Sequence, residues 1–118
     1  MWGSGDVGEV AYEDGIKVQG EGGFVKAASW TLYEEVNFDT KEIISKDWDT
    51  YKIIEFDNIP NIQTNVIDQV GFPYLGVGEV VAGPTGAAIS NALSEALGKT
   101  IKTMPFTKEN ITKELLQT

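Results

Sequence analysis

Apolar residues recur with two different periods along the chain, and these periods predict three helices and several short strands. Between residues 13 and 36 the spacing is helical, with apolar positions at Ile16, Phe24, Ala27, Ala28, Leu32 and Val36. Three glycines (Gly20, Gly22 and Gly23) lie in the same segment, and each disfavours a helix by about 1 kcal/mol relative to Ala. The residues alone leave two alternatives. Either a helix begins after Gly23, or a longer helix uses its glycines to let another group approach the backbone closely.

Other segments alternate apolar and polar residues, as half-buried strands do. The predicted extended segments are 36–38, 43–44, 51–56 and 62–67, with a further short one at 100–104. A turn-like run of polar residues, 39–42, separates the first two. We expect the segments between the first and second helices to form antiparallel strands.

The clearest helix covers residues 83–98. Pro84 stands at a first helical position that suits proline, and Gly98 is a typical helix stop. Its apolar face consists of Ile89, Leu93, Ala96 and Leu97. Thr107 can cap a last helix that extends to about Leu116.

The predicted architecture is one α+β domain over residues 1–118, with a long N-terminal helix, antiparallel strands and two further helices. A length of 118 residues and a hydrophobic content of 42% suit one domain with a core. Residues 1–12 are glycine-rich and have no regular pattern, and we expect a flexible or strand-forming terminus. Gly3, Gly5 and Gly8 match G-x-G-x-x-G, but no strand can precede residue 3, so a dinucleotide site is disfavoured.

The charge excludes several classes of partner. The net charge is −9, and all nine basic residues are lysines, with no arginine. A nucleic-acid or anionic-lipid surface needs clustered basic residues, which this chain lacks. No run of about 18 apolar residues is present, so no membrane insertion is expected. The N-terminal residues lack the features of a signal peptide, which favours the cytoplasm and leaves export with a partner, to the periplasm, open.

Cysteine and histidine are both absent, which excludes disulfides, ordinary zinc sites and Ser-His-Asp or Cys-His catalysis. No metal ligands are therefore predicted. Carboxylates become the leading acid–base candidates, and Glu79 stands out in the run of small and apolar residues at 71–91. Those neighbours suggest a desolvated carboxylate. On the residues alone, a surface glutamate in a glycine-flanked turn is the simpler interpretation.

Three segments carry a resemblance to a known family: DGIKVQGEGG at 14–23, SWTLYEEV at 29–36, and GVGE at 76–79 with the Gly-Pro-Thr that follows at 83–85. In order and spacing they resemble the C-terminal part of the large, molybdopterin-binding subunit of the xanthine oxidase family. That family includes aldehyde oxidoreductases and isoquinoline and nicotinate hydroxylases. The chain departs from the pattern where Tyr12-Glu13 replace a common Asn-Pro and Gly20 replaces an apolar residue.

The resemblance implies a structure and a set of site residues. It implies one long helix over 13–36 and a glutamate base, Glu79, which takes a proton from metal-bound water or hydroxide. The implied cofactor-binding residues are Gln19, Gly22, Gly23, Gly76 and Gly78. On the residues alone, Gln19 is as readily explained as a polar helix residue facing solvent. The implied cofactor is molybdopterin in the intact enzyme, with none held by this chain alone.

The resemblance also implies partners, because it covers only a late portion of a much longer subunit. These are the remaining segments of the molybdopterin-binding subunit and its iron–sulfur and flavin or haem subunits. The first hypothesis is a hydroxylase fragment that is inactive alone. The alternative is a truncated, non-catalytic module that keeps the fold and binds a partner. In either case we expect an exposed packing surface and hence self-association, as a homo-oligomer.

Overall fold

A strand, a long helix and a second strand form the N-terminal half of the fold, and two helices complete it. The computed structural model describes residues 1–117. In chain order the elements are β1 (Trp2–Asp6), α1 (Glu13–Leu32), β2 (Gln63–Ile67), α2 (Ala82–Leu97) and α3 (Lys108–Leu116). A single 3-10 turn, Phe56–Asn58, precedes β2. The α+β class is therefore confirmed.

The arrangement of the strands corrects the prediction in two respects. The glycine-rich N-terminus forms a strand, β1, so the first helix is not N-terminal. β1 and β2 are parallel, with Trp2 opposite Gln63 and Asp6 opposite Ile67, so the predicted antiparallel arrangement is wrong. The physical reason is the connection between them. The chain crosses over through a 20-residue helix before it returns, and a crossover of that kind joins parallel strands.

α1 begins well before its glycines, which decides between the two alternatives in favour of the longer helix. The glycines at two positions make room for neighbouring elements. A Cβ on Gly20 would lie 2.9 Å from Thr64 Cγ2 of β2, and one on Gly23 would lie 2.5 Å from Val81 Cγ2. The helix ends at Leu32, four residues before the predicted end at residue 36. Close packing on both neighbours therefore offsets the low helix propensity of these glycines.

The core lies on the inward face of α1. Phe24, Ala27 and Ala28 of the helix are buried, together with Ile101 and Phe106 from the C-terminal segment. Phe24, Ala27 and Ala28 belong to the predicted apolar stripe, whereas Val36 at its end is 53% exposed. Thr31 is also fully buried, and its hydroxyl donates to the Ala27 carbonyl at 2.6 Å. The core is thus small and is concentrated on one side of one helix.

Several predicted strands do not form. Residues 36–38 and 43–44 contribute a single antiparallel bridge, Phe38 with Ile43, and residues 51–56 are irregular. The Asp39 carboxylate accepts the backbone N–H groups of Lys41 and Glu42, so the side chain closes a local turn instead of a ladder. Only the segment at 62–67 is confirmed as a strand, β2.

The predicted strand at 100–104 is also wrong, because a side chain from α3 occupies its backbone donors. The Glu114 carboxylate accepts the N–H groups of Lys102 at 2.9 Å and Thr103 at 3.0 Å. The Lys99 ammonium donates to the Glu114 carbonyl at 2.7 Å. These bonds hold the segment against the helix in an irregular conformation.

The two C-terminal helices follow their sequence signals closely. α2 begins at Ala82, so Pro84 is its third residue and not its first, and Gly98 ends it with φ of +64°. Thr107 caps α3, since its side-chain oxygen accepts the Asn110 N–H at 3.2 Å. α2 packs on α1 through the close approach of Val81 to Gly23.

The molecule is larger than a compact domain of its length. Its radius of gyration is 17.3 Å, against about 13.5 Å for a compact chain of this size. Its accessible surface is 8412 Å², about a third more than the roughly 6300 Å² expected for a 12.9 kDa monomer. In residues 1–117 no helix has the length and apolarity needed to cross a membrane. The excess surface shows that much of the chain lacks the packing a closed core provides.

Candidate functional site

Glu79 lies in the turn that leads into α2. Its carbonyl accepts the Ala82 N–H at 3.0 Å, which closes the turn at the start of the helix. The carboxylate is 76% exposed, and its Oε1 lies 3.2 Å from the Lys26 ammonium of α1. The apolar neighbours in sequence therefore do not bury it, and the expected desolvation is not provided by the described residues.

Gln19 reaches from α1 to the same turn. Its Nε2 donates a hydrogen bond of 2.7 Å to the carbonyl of Gly78, the residue before Glu79. The two residues are 59 positions apart in sequence, so this bond connects the helix to the turn. Gln19 therefore has a protein partner, although its side chain is at the surface.

A groove of about 360 Å³ separates α1 from the turn, and we call it the Glu79 groove. It is lined by Val18, Gln19, Gly22, Gly23, Lys26, Trp30, Gly78, Glu79 and Ala82. Five of the six predicted site residues thus line one surface. Gly76 is the exception, because it lies earlier in the turn and does not line the groove.

The two adjacent glycines of the groove differ in what surrounds them. A Cβ on Gly23 would collide with Val81, so helix packing explains that glycine. A Cβ on Gly22 would meet no atom within 4 Å. The contacts of the described residues therefore give no reason for glycine at position 22. A mid-helix glycine without a packing reason loses roughly 0.5–1 kcal/mol relative to Ala.

Lys26 and Trp30 line the groove but were not among the predicted site residues. The Lys26 ammonium lies 5.3 Å from the centre of the Trp30 ring, within the range of a cation–π contact. A signal in the sequence could have found both. Gln19, Gly23, Lys26 and Trp30 recur at steps of three and four residues, which places them on one helix face.

The charged groups of the groove are one ammonium and one carboxylate, those of Lys26 and Glu79. Within residues 1–117 no group of three or more His, Cys, Asp or Glu side chains could hold a metal ion. The groove can offer amide and ammonium donors, a carboxylate base and an uncovered helix backbone at Gly22. Such a set suits a polar, planar ligand better than a bare ion.

Comparison with protein families identifies a matching domain family. Residues 1–60 match the molybdopterin cofactor-binding domain, and these residues include β1 and all of α1. The match therefore covers the helix wall of the Glu79 groove, and the turn that carries Glu79 lies outside it.

Two curated relatives extend the similarity over most of the chain. The B subunit of nicotinate dehydrogenase from Pseudomonas putida is 31% identical over 106 residues, which is 90% of this chain and 9% of the relative. The β subunit of isoquinoline 1-oxidoreductase from Brevundimonas diminuta is 28% identical over 106 residues, covering 90% of this chain and 13% of the relative. The chain thus spans only about a tenth of the length of these relatives.

Solved structures share the fold. Quinoline 2-oxidoreductase from Pseudomonas putida 86 superposes with a TM-score of 0.85 and 24% identity, covering 98% of this chain and 16% of the other. CO dehydrogenase from Oligotropha carboxidovorans gives a TM-score of 0.82 and 20% identity, covering 95% and 15%. The resemblance to the xanthine oxidase family is confirmed, and the chain belongs to the molybdopterin cofactor-binding domain family.

Proposed function

We propose that this chain is the C-terminal part of a molybdopterin-binding subunit and that Glu79 is the base of a molybdenum hydroxylase. The observation that carries the proposal is the meeting of α1 with the turn before α2. This meeting brings the Gln19 amide, the open backbone at Gly22 and the Glu79 carboxylate together around one groove of about 360 Å³. The three residues come from the segments that resemble the family.

The groove residues fit a molybdopterin cofactor in their chemistry. A pterin ring carries donors and acceptors in one plane, which a side-chain amide such as that of Gln19 can match. Gly22 leaves the helix backbone uncovered, so a flat ring can approach it without meeting a Cβ. The Lys26 ammonium adds one positive charge on the same wall, in a chain without arginine.

When bound, the cofactor accepts the two electrons that hydroxylation of an electron-poor carbon releases. The protein's part is proton transfer and positioning. Lys26 engages Glu79 Oε1 at 3.2 Å, and we assign the second oxygen, Oε2, to accept the proton from the attacking water. The Gln19 bond to the Gly78 carbonyl fixes the backbone next to this carboxylate, which limits where Oε2 can point.

We further propose that the isolated chain does not turn over. Glu79 is 76% exposed here, whereas a general base acts best in a site from which water is excluded. The remaining segments of the subunit, absent from this chain, would cover the groove. Electron-transfer partners with iron–sulfur, flavin or haem groups belong to the same proposal.

The test co-expresses the chain with the nicotinate dehydrogenase relative from Pseudomonas putida, from which the matching 106-residue region has been deleted. We call this deletion variant the truncated subunit. We expect co-purified complex to retain molybdenum and to oxidise nicotinate with an artificial electron acceptor. Glu79→Gln should retain molybdenum and lose at least a hundredfold in turnover, in line with the loss of a general base. Glu95→Gln, on the exposed side of α2, is the matched control.

The outcomes separate the two hypotheses about function. Turnover that is unchanged by Glu79→Gln at equal molybdenum content would contradict the assignment of the base. It would favour the non-catalytic module. Loss of both molybdenum and turnover in Glu79→Gln would also count against a base, because it would show that the residue holds the cofactor or the fold instead.

A further inference from the structure

One edge of the two-stranded sheet is unpaired. The Gln63 N–H donates to the Met1 carbonyl at 2.9 Å, and the parallel register from Trp2 opposite Gln63 continues to Asp6 opposite Ile67. In a parallel ladder, alternate residues direct their backbone groups to the partner strand. The backbone N–H and C=O groups of Trp2, Ser4 and Asp6 therefore face away from β2. Within the described part of the chain they have no backbone partner.

An apolar cavity lies beneath the same strand. It has a volume of about 440 Å³, and we call it the β1 cavity. Its apolar lining includes Phe24, Val66, Val77, Val80, Val81 and Ala88. A cavity of roughly 150 Å³ accepts benzene, so the β1 cavity has room for two or three apolar side chains.

The glycines of β1 explain why the cavity is open. The inward-facing residues of the strand are Gly3 and Gly5. Phe24 fills the space below Gly3, since a Cβ there would lie 2.2 Å from its Cζ. At Gly5 a Cβ would meet no atom within 4 Å. The cavity is therefore unfilled at the Gly5 end, directly beside the unpaired edge.

We propose that the unpaired edge of β1 receives an extended segment from the remaining part of the molybdopterin-binding subunit, whose inward apolar side chains fill the β1 cavity. An added strand would satisfy the free backbone groups of Ser4 and Asp6. Because side chains alternate along a strand, every second residue of the segment would point to the cavity side of the sheet. This inference rests on the proposed assembly with the rest of the subunit and is independent of the role of Glu79.

Two further observations favour such a segment over other occupants. A parallel pair of strands is usually covered on both faces within a larger sheet, and two strands alone are marginal in water. The molecule also exposes about a third more surface than a compact monomer of its mass. A second copy is disfavoured, because each copy carries a net charge of −9 and Asp6 lies on the edge itself.

The outward face of the sheet indicates which kinds of residue the added segment would carry on the side away from the β1 cavity. Apart from the exposed side chains of Trp2 and Ile67, that face is polar: Trp2 Nε1 donates to Gln63 Oε1 at 2.7 Å, and Asn65 Nδ2 donates to Ser4 Oγ at 3.1 Å. The matching residues of an added strand would therefore be polar. The predicted partner chemistry is an extended stretch with alternating apolar and polar residues, and neutral or basic ones beside Asp6.

The experiment uses the truncated subunit as the probe and two substitutions with opposite expected effects. Ser4→Pro removes one edge N–H without removing a bond between β1 and β2, and Ser4→Ala is its control. We expect Ser4→Pro to reduce the co-purified truncated subunit at least tenfold, with Ser4→Ala unchanged. Gly5→Val fills the cavity, so we expect it to raise the unfolding temperature of the isolated chain and yet reduce co-purification. The higher unfolding temperature would also exclude misfolding of Gly5→Val as the cause of reduced co-purification.

Hydrogen exchange locates the contact. In the wild-type complex we expect the Ser4 and Asp6 amides to exchange at least tenfold more slowly than in the isolated chain. Three results would overturn the proposal: no co-purification of the truncated subunit, unchanged exchange at these amides in the complex, or wild-type assembly by Ser4→Pro. If Ser4→Pro reduces assembly but Glu79→Gln leaves turnover unchanged, only the catalytic proposal is refuted. If Ser4→Pro assembles normally but Glu79→Gln loses turnover, only the proposal of an added strand at β1 is refuted.

Discussion

The side-chain amide of Gln19 and the carbonyl of Gly78 form a 2.7 Å hydrogen bond that connects α1 to the turn before Glu79. The turn has no regular secondary structure of its own, and most of its residues are exposed. The position of the Glu79 carboxylate therefore depends on a bond made by a residue of a different element. This relationship explains how a helix can control the geometry of a distant loop.

Removal of that bond should loosen the turn without unfolding the chain. Gln19→Leu keeps the size of the side chain and removes the donor. A neutral hydrogen bond contributes about 0.5–1.5 kcal/mol, and this one is at the surface, so we expect the lower end of that range. Hydrogen exchange should become faster at residues 76–80 and stay unchanged in the core of α1. Exchange at residues 76–80 that is the same in Gln19→Leu as in the wild type would show that Gln19 does not hold the turn.

The ion pair of Lys26 with Glu79 should add little to stability. Both side chains are mostly exposed, at 61% and 76%, and exposed pairs of this kind contribute about 0–1 kcal/mol. Lys26→Met keeps the apolar stem over Trp30 and removes the charge. We expect the free energy of unfolding to change by less than about 1 kcal/mol, with a smaller difference at high salt. A larger loss that salt does not reduce would contradict the interpretation as a weak, solvent-screened ion pair.

The helices could be predicted from the sequence because their signals are local. Gly98 as a stop and Thr107 as a cap depend on a few neighbouring residues, and both are confirmed. The pairing of β1 with β2 could not be predicted in the same way. It brings together residues about 60 positions apart, and the glycines of β1 have no alternation of apolar side chains to reveal a strand.

The site was accessible to sequence reasoning only in part. The resemblance gave Gln19, Gly22 and Glu79, which the fold brings to one groove, but it gave no reason to include Lys26. Burial of Glu79 was expected from its apolar sequence neighbours. Those neighbours are close to Glu79 in sequence, but in the fold they do not cover its side chain.

Acid should weaken the contact of α3 with the segment before it. The backbone N–H of Lys102 holds the pKa of the Glu114 carboxyl below its ordinary value of 4.5, and the Thr103 donors add to this effect. Because the folded-state pKa is lowered, the stabilisation is present above pH 4.5 and is lost as the pH falls through the folded-state value. Glu114→Gln should therefore reduce the stability difference between pH 6 and pH 3.

Denaturant midpoints at the two pH values measure this difference in the wild type and in Glu114→Gln. Glu95→Gln, an exposed carboxylate on α2, controls for the general effect of one charge. An equal reduction in both variants would contradict a specific role of Glu114.

Alanine substitutions at the two adjacent glycines of α1 should change the stability of the isolated chain in opposite directions. Gly22→Ala places a methyl group in open space, so it should stabilise the isolated chain by roughly 0.5–1 kcal/mol. Gly23→Ala drives a Cβ to 2.5 Å from Val81 Cγ2, so it should destabilise the chain by about 1–3 kcal/mol, and Val81→Ala should restore part of that loss. Thermal unfolding of Gly22→Ala, of Gly23→Ala and of the double variant Gly23→Ala with Val81→Ala measures both effects.

The same pair separates packing from cofactor binding. In the complex with the truncated subunit, Gly22→Ala should lower the molybdenum content, because the added methyl group occupies the open helix backbone on the groove wall. A variant that is more stable alone and yet binds less cofactor would show that glycine at position 22 is retained for a group outside this chain. Full molybdenum content in Gly22→Ala would mean that the cofactor does not approach the helix at this position.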